Sequence, residues 1–181
     1  MRYLKDIPAI SNLNDFHSRW NEYYRYLSDI SQRLPEGARY FANADWHWDF
    51  ADHRCPHDAW LKKIEINENR MLDVPQSATV NINIALLGAY HDGYILLHYF
   101  GVRSYKFDTS RSNILNIDLG VANGHGDWYM DEISLSDDGF PVHEIQFTSS
   151  ETCWSIEAED IVYEWLPVQG NYCNIENMLS R

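Results

Sequence analysis

Val80-Asn81-Ile82-Asn83-Ile84-Ala85-Leu86 alternates apolar residues with small or polar ones. A period of two puts Val80, Ile82, Ile84 and Leu86 on one side of an extended chain, so the stretch reads as a half-buried strand. Downstream, His91-Asp92-Gly93 is a turn signal, because Asp-Gly favours a tight hairpin. Tyr94–Phe100 follows and is apolar on both faces, as a central strand is. Arg103–Phe107, Ile114–Leu119, Trp128–Leu135, Val142–Thr148, Cys153–Ala158 and Ile161–Leu166 continue the pattern. Asn123-Gly124, Asp137-Asp138-Gly139 and Ser149-Ser150 punctuate it. Parallel strands need helical crossovers, and no helical period interrupts the run, so antiparallel pairing is expected.

Upstream the period is different. Leu13, Phe16, Trp20, Tyr23, Tyr24, Leu27, Ile30 and Leu34 recur every three or four residues, which predicts an amphipathic helix over 12–34. Asn12 is placed to cap it, Asp15 to meet its positive end, and Pro35 with Gly37 to end it. A short helix or turn is expected at Ala38–Ala44. The predicted class is α+β: one mostly antiparallel β-sheet, a meander of seven to nine strands, with an N-terminal amphipathic helix packed on it. The expected division is a single domain over 1–181, with a helical segment 1–44, a loop 45–58, the sheet 59–166 and a peripheral tail 167–181.

Composition fits a folded chain. Of 181 residues, 45% are hydrophobic and 14% aromatic, with seven Trp and twelve Tyr, whereas disordered chains are poor in aromatics. A chain of this length buries roughly 70% of its unfolded surface and folds without a metal or disulfide. No apolar run approaches the ~20 residues of a membrane-spanning helix. Cys55, Cys153 and Cys173 are odd in number and scattered, so they read as free thiols in a reducing cytoplasm.

The net charge is −13. That argues against binding nucleic acid through phosphate neutralisation, and against anionic membranes. The charge is unevenly placed. Residues 1–63 hold nine bases and nine acids, while residues 112–181 hold thirteen acids and one base, Arg181. Strand alternation puts Glu144 and Glu157 on the side opposite their apolar neighbours, and Glu132 and Glu164 are expected to join them. Such a face serves solubility, or it steers a basic protein partner with Asp127 beside it and Trp128 or another exposed aromatic as its anchor.

Histidine and cysteine suggest other chemistry. Residues 45–60 carry His47, His53, His57, Cys55 and four Asp. His53, Cys55 and His57 alternate, and would point one way on an extended segment. With His91 and His125 they form a candidate zinc set for a metal-assisted hydrolase. The alternative for this loop is structural: a segment pinned by Trp and His hydrogen bonds. GxSxG, GxGxxG and GxxxxGK[ST] are absent, which removes the usual nucleophile elbow and phosphate loops.

Arg54-Cys55-Pro56-His57-Asp58-Ala59-Trp60-Leu61, Leu86–Ile95, Gly124-His125-Gly126-Asp127-Trp128-Tyr129 with Asp131-Glu132, and the closing Trp154–Ala158 and Asp160–Trp165 together resemble a group of small uncharacterised bacterial proteins. The resemblance spans residues ~40–166 and implies a bacterial origin without an activity. In size, acidity and tryptophan content the chain is also similar to toxin-immunity proteins, which carries over no residues. The expected role is an acidic cytoplasmic protein-binding domain, with an immunity-type inhibitor of a basic protein as its concrete version.

Overall fold

The computed structural model describes residues 1–4, 13–70, 78–108, 125–148 and 153–168. The amphipathic stripe forms α1 (Leu13–Ile30), continued by a 3-10 turn at Ser31–Arg33. Trp20, Tyr23, Leu27, Ile30 and Leu34 are buried, while Tyr24 faces solvent. Leu34 is extended because a residue before proline avoids the helical region. Pro35 therefore ends the first helical segment, as expected. Gly37 does not: it lies inside α2 (Glu36–Ala42). A Cβ there would sit 2.5 Å from the Ile161 carbonyl oxygen, so glycine is what lets α2 lie against the sheet. The cap expected at Asn12 and the strand expected at Ile114–Leu119 lie outside the described residues.

Among the described residues eight strands follow: β1 (Trp60–Arg70), β2 (Ala78–Leu87), β3 (Gly93–Phe100), β4 (Ser104–Lys106), β5 (Trp128–Leu135), β6 (Pro141–Phe147), β7 (Cys153–Glu157) and β8 (Asp160–Pro167). The class is α+β, and the pairing is antiparallel throughout. The expectation of one continuous sheet is corrected. The strands form two four-stranded sheets, ordered β1-β2-β3-β8 and β4-β7-β6-β5.

The physical reason lies at Gly101. Its φ is +57°, a left-handed turn that glycine adopts freely, and it throws the chain from β3 into β4 of the other sheet. A Cβ there would also strike the Glu159 side chain, at the point where the chain returns from β7 to β8. Arg103 N–H to Glu157 O and Glu159 N–H to Phe100 O, both 2.8 Å, hold the two crossings together.

Both sheets turn one face to a common core. Ile82, Ile84, Leu97, Tyr99 and Ile161 come from the first sheet, and Ile133, Ile145, Phe147, Trp154 and Ile156 from the second. The helices close the margins. Tyr23 Oη accepts the Ile133 N–H at 2.7 Å and Tyr26 Oη accepts the Leu135 N–H at 2.9 Å, so α1 satisfies the outer edge of β5. Asp160 on β8 accepts the first N–H groups of α2, from Gly37 at 3.2 Å and Ala38 at 2.9 Å. Among the described residues, no helix is long and apolar enough to cross a membrane.

Candidate functional site

The acidic face separates into parts with different uses. Glu132 and Glu144 stand directly opposite each other on β5 and β6, on the same side of the sheet, as alternation requires. Glu132 is nonetheless buried, which corrects its placement on an open docking face. Its carboxylate accepts the backbone N–H groups of Arg2 and Tyr3, each at 2.7 Å, and that of Leu4. Burial pushes its pKa up, against those N–H bonds. Glu144 accepts the Met1 amino group. The chain's own residues 1–4 thus lie on this pair of like charges and relieve their repulsion. Glu157 shares the side of Glu144 on β7, one step along the ladder. Glu164 does not join them: it lies on β8, in the other sheet, opposite Leu96. Trp128 is fully buried, so it is not an exposed anchor.

Trp128 instead serves a buried polar centre that sequence reasoning missed. Its Nε1 donates to Asp131 Oδ1 at 3.1 Å. Asp131 Oδ2 accepts from Nε2 of His47 at 2.9 Å and Nε2 of His143 at 3.0 Å. His143 Nδ1 lies 2.7 Å from Tyr99 Oη, and His47 Nδ1 lies 2.9 Å from the Phe41 carbonyl oxygen. Both partners of His47 are acceptors, so both its ring nitrogens must carry protons to satisfy them. His143 has one acceptor and one hydroxyl, and is satisfied neutral. The centre is then one imidazolium–carboxylate pair with a neutral imidazole attached. Burial alone would raise the Asp131 carboxyl, but His47 and His143 outweigh it and hold it far below the ordinary carboxylate range. Burial lowers His143, against the pull of Asp131. His47, Tyr99, Asp131 and His143 are closed to solvent, so this is a structural centre rather than a site for substrate. Alternation carried a signal for it: Asp131 and His143 fall on the inward face of their strands, with Ile133 and Ile145.

The centre anchors the loop 45–58, whose turns are held along its length. The Cys55 thiol donates to the His47 carbonyl at 3.0 Å, and the Tyr163 hydroxyl donates to the Arg54 carbonyl at 2.6 Å. His57 Nδ1 donates to the Tyr129 carbonyl at 2.8 Å. Asp58 N–H and Trp128 N–H make reciprocal bonds that tie 58–59 to the start of β5. The structural alternative for this loop holds for its histidines, since His47 and His57 pin it by hydrogen bonds, but not for Trp48, whose buried Nε1 has no hydrogen-bond partner among the described residues.

It follows that the alternating set does not point one way. Cys55 is buried, and burial pushes its thiol up to about 12, whereas His53 is exposed and His57 lies between. His125 packs against Phe147 and Trp154. Among the described residues, no three His, Cys, Asp or Glu side chains gather as metal ligands.

What the loop does present is an aromatic surface. Phe50, Trp60 and Tyr90 are 53%, 46% and 49% exposed. Tyr90 Oη donates to the Phe50 carbonyl at 3.1 Å, joining the loop to the β2–β3 turn. Each ring has a histidine beside it: His57 stacks on Phe50, His53 on Tyr90, and His91 leans on Trp60. Carboxylates surround them. Asp92 bonds His53 and Asp58 lies 3.5 Å from His57, while Asp127 pairs with Trp60 through a backbone bridge. Asp49 precedes Phe50 and is exposed. Asp58 (φ +62°) and His91 (φ +59°) are the left-handed non-glycine residues among those described, and both belong to this surface. Trp165 supports it from below, its ring so close to Gly93 that a Cβ would lie 2.2 Å away.

A cleft of about 460 Å³ between α1 and the chain after α2 is lined by Tyr24, Gln32, Asn43, Asp45 and Trp48, none of them expected site residues.

No match to this chain is found among protein-family models, curated proteins or solved structures. The functional reading therefore rests on this geometry.

Proposed function

We propose that this protein is a protein-binding domain that docks a basic partner through the Phe50–Trp60–Tyr90 surface, as an immunity-type inhibitor would. The supporting observation is three half-exposed aromatic rings brought together from three chain segments and rimmed by carboxylates. Binding energy concentrates in central aromatic residues, and rim charges select and steer. A pinned loop also loses little freedom on docking, which favours affinity. Of the acidic residues expected to serve a partner, Asp127 belongs to this surface. Glu164 contributes to the long-range field only, and Glu132 and Glu144 hold the chain's own first residues.

The test begins with proteins that wild type retains from native lysate and that purified Phe50→Ala/Trp60→Ala does not. The partner so identified is then purified and titrated by calorimetry. It should be basic, bind at least about thirtyfold more weakly to the double variant, and weaken with salt. Equal affinity for wild type and variant would overturn the reading.

A further inference from the structure

We infer that this surface is built for arginine side chains of the partner in preference to lysine. The inference rests on the docking reading above and names the group it recognises. Each of the three rings pairs with a histidine on one side. Phe50 lies 4.1 Å from His57 and Tyr90 lies 4.2 Å from His53 between ring centroids, with interplanar angles of 19° and 14°. Trp60 is 4.4 Å from His91 at 57°. Each of the three residues is about half exposed, which leaves ring surface available to a partner. A flat, weakly hydrated guanidinium stacks on such a face, whereas an ammonium is compact and holds its water more tightly. Asp92 and Asp58 stand beside the histidines that back Tyr90 and Phe50, and Asp127 is the backbone bridge partner of Trp60; a carboxylate accepts the guanidinium fork through two parallel bonds.

The chain uses this arrangement on its own arginines. Arg54 lies with its Cζ 5.6 Å from the Trp46 ring centroid, and forks Asp52 through Nε at 2.9 Å and Nη2 at 2.7 Å. Arg103 has its Cζ 3.8 Å from the Phe140 centroid, with Nη2 3.1 Å from Glu159. Ring plus carboxylate holds an arginine in both places. The Phe50–Trp60–Tyr90 surface repeats those elements with no lysine or arginine of its own over the rings among the described residues.

Two end-blocked five-residue peptides separate arginine recognition from plain charge: one alternates arginine with glycine, the other lysine with glycine. Calorimetry of the full chain with each, at low and physiological salt, should show the arginine peptide binding about tenfold more tightly. Phe50→Ala/Tyr90→Ala should bring the arginine peptide down to the affinity of the lysine peptide. Trp60→Leu, a single change on a separate segment, should narrow the gap on its own and guards against misfolding of the double variant. Equal affinity of the two peptides for wild type would overturn the arginine inference and leave a basic partner standing. Binding of neither peptide would overturn both. A preference that survives all three substitutions would overturn its placement on these rings.

Discussion

Asp131 holds three donors in a space closed to bulk solvent, and its neighbours determine what its removal does. Asp131→Asn keeps the shape but leaves His47 as an uncompensated charge, or forces it to give up a proton and a hydrogen bond. Breaking a buried pair this way costs about 3–5 kcal/mol, so chemical denaturation should show a loss of that size. Asp131→Leu removes the acceptor as well as the charge and should be no better tolerated, because three donors are then orphaned. The same centre makes stability depend on pH. His143 is lowered from its ordinary 6.5, so its contribution is complete above pH 6.5 and is lost as pH falls through the folded value. Asp131 is lowered from 3.8, so its contribution is complete above that pH and is lost only in stronger acid. Glu132, raised from 4.5, acts in the opposite sense: its contribution is complete below pH 4.5 and declines as pH rises through the folded value. Replacing His143 with Gln should therefore flatten the fall in melting temperature as pH drops below 6.5. An unchanged slope would show that His143 does not take up the proton.

At the scale of elements, α2 depends on a residue outside it. Pro35 offers no capping side chain, and Asp160 supplies the acceptor from β8 instead. Asp160→Ala should cost about 0.5–2 kcal/mol, as loss of a cap does, and proteolysis should then open the α2 segment first. Asp160→Asn should recover part of it; if Asp160→Ala matches wild type, the cap is not what docks α2. Strand positions were legible wherever one face was apolar: β2, β3 and β5 to β8 all stand where alternation put them. β1 was not legible as an element, because an edge strand with Lys62, Lys63, Glu65 and Glu68 has no clean apolar face. The division into two sheets was hidden for another reason. It depends on one left-handed residue, Gly101, and on β8 returning to pair with β3 across sixty residues of chain, and no local period records such a pairing. The acidic pair Glu132 and Glu144 was legible as a shared face, but residues 1–4 covering it are a tertiary fact. The buried Trp128 and the exposed Phe50 and Tyr90 are likewise sorted by packing, since composition ranks all three alike.

Across the whole molecule, the proposed docking would use the charge of −13 at a distance and the aromatic surface in contact, and kinetics separates the two. The acids are dispersed: Glu157 on the outer side of one sheet, Glu164 on the other sheet, and Asp58, Asp92 and Asp127 at the joined end. A partner approaching through solvent feels their sum, screened over a Debye length of about 8 Å at physiological salt. Once docked, it feels only those it touches. Glu157→Gln/Glu164→Gln should therefore slow association of the basic partner severalfold, reduce its salt dependence and leave dissociation unchanged. Asp92→Asn/Asp127→Asn removes the same formal charge and should slow association to a similar degree, but it should also raise dissociation about tenfold or more. Stopped-flow mixing over a salt series reads both rates. If the two pairs prove kinetically alike, the contact surface is elsewhere and the acidity works only as a field. If the Glu157/Glu164 pair alone accelerates dissociation, the docking face is on the sheets and not at the Phe50–Trp60–Tyr90 end.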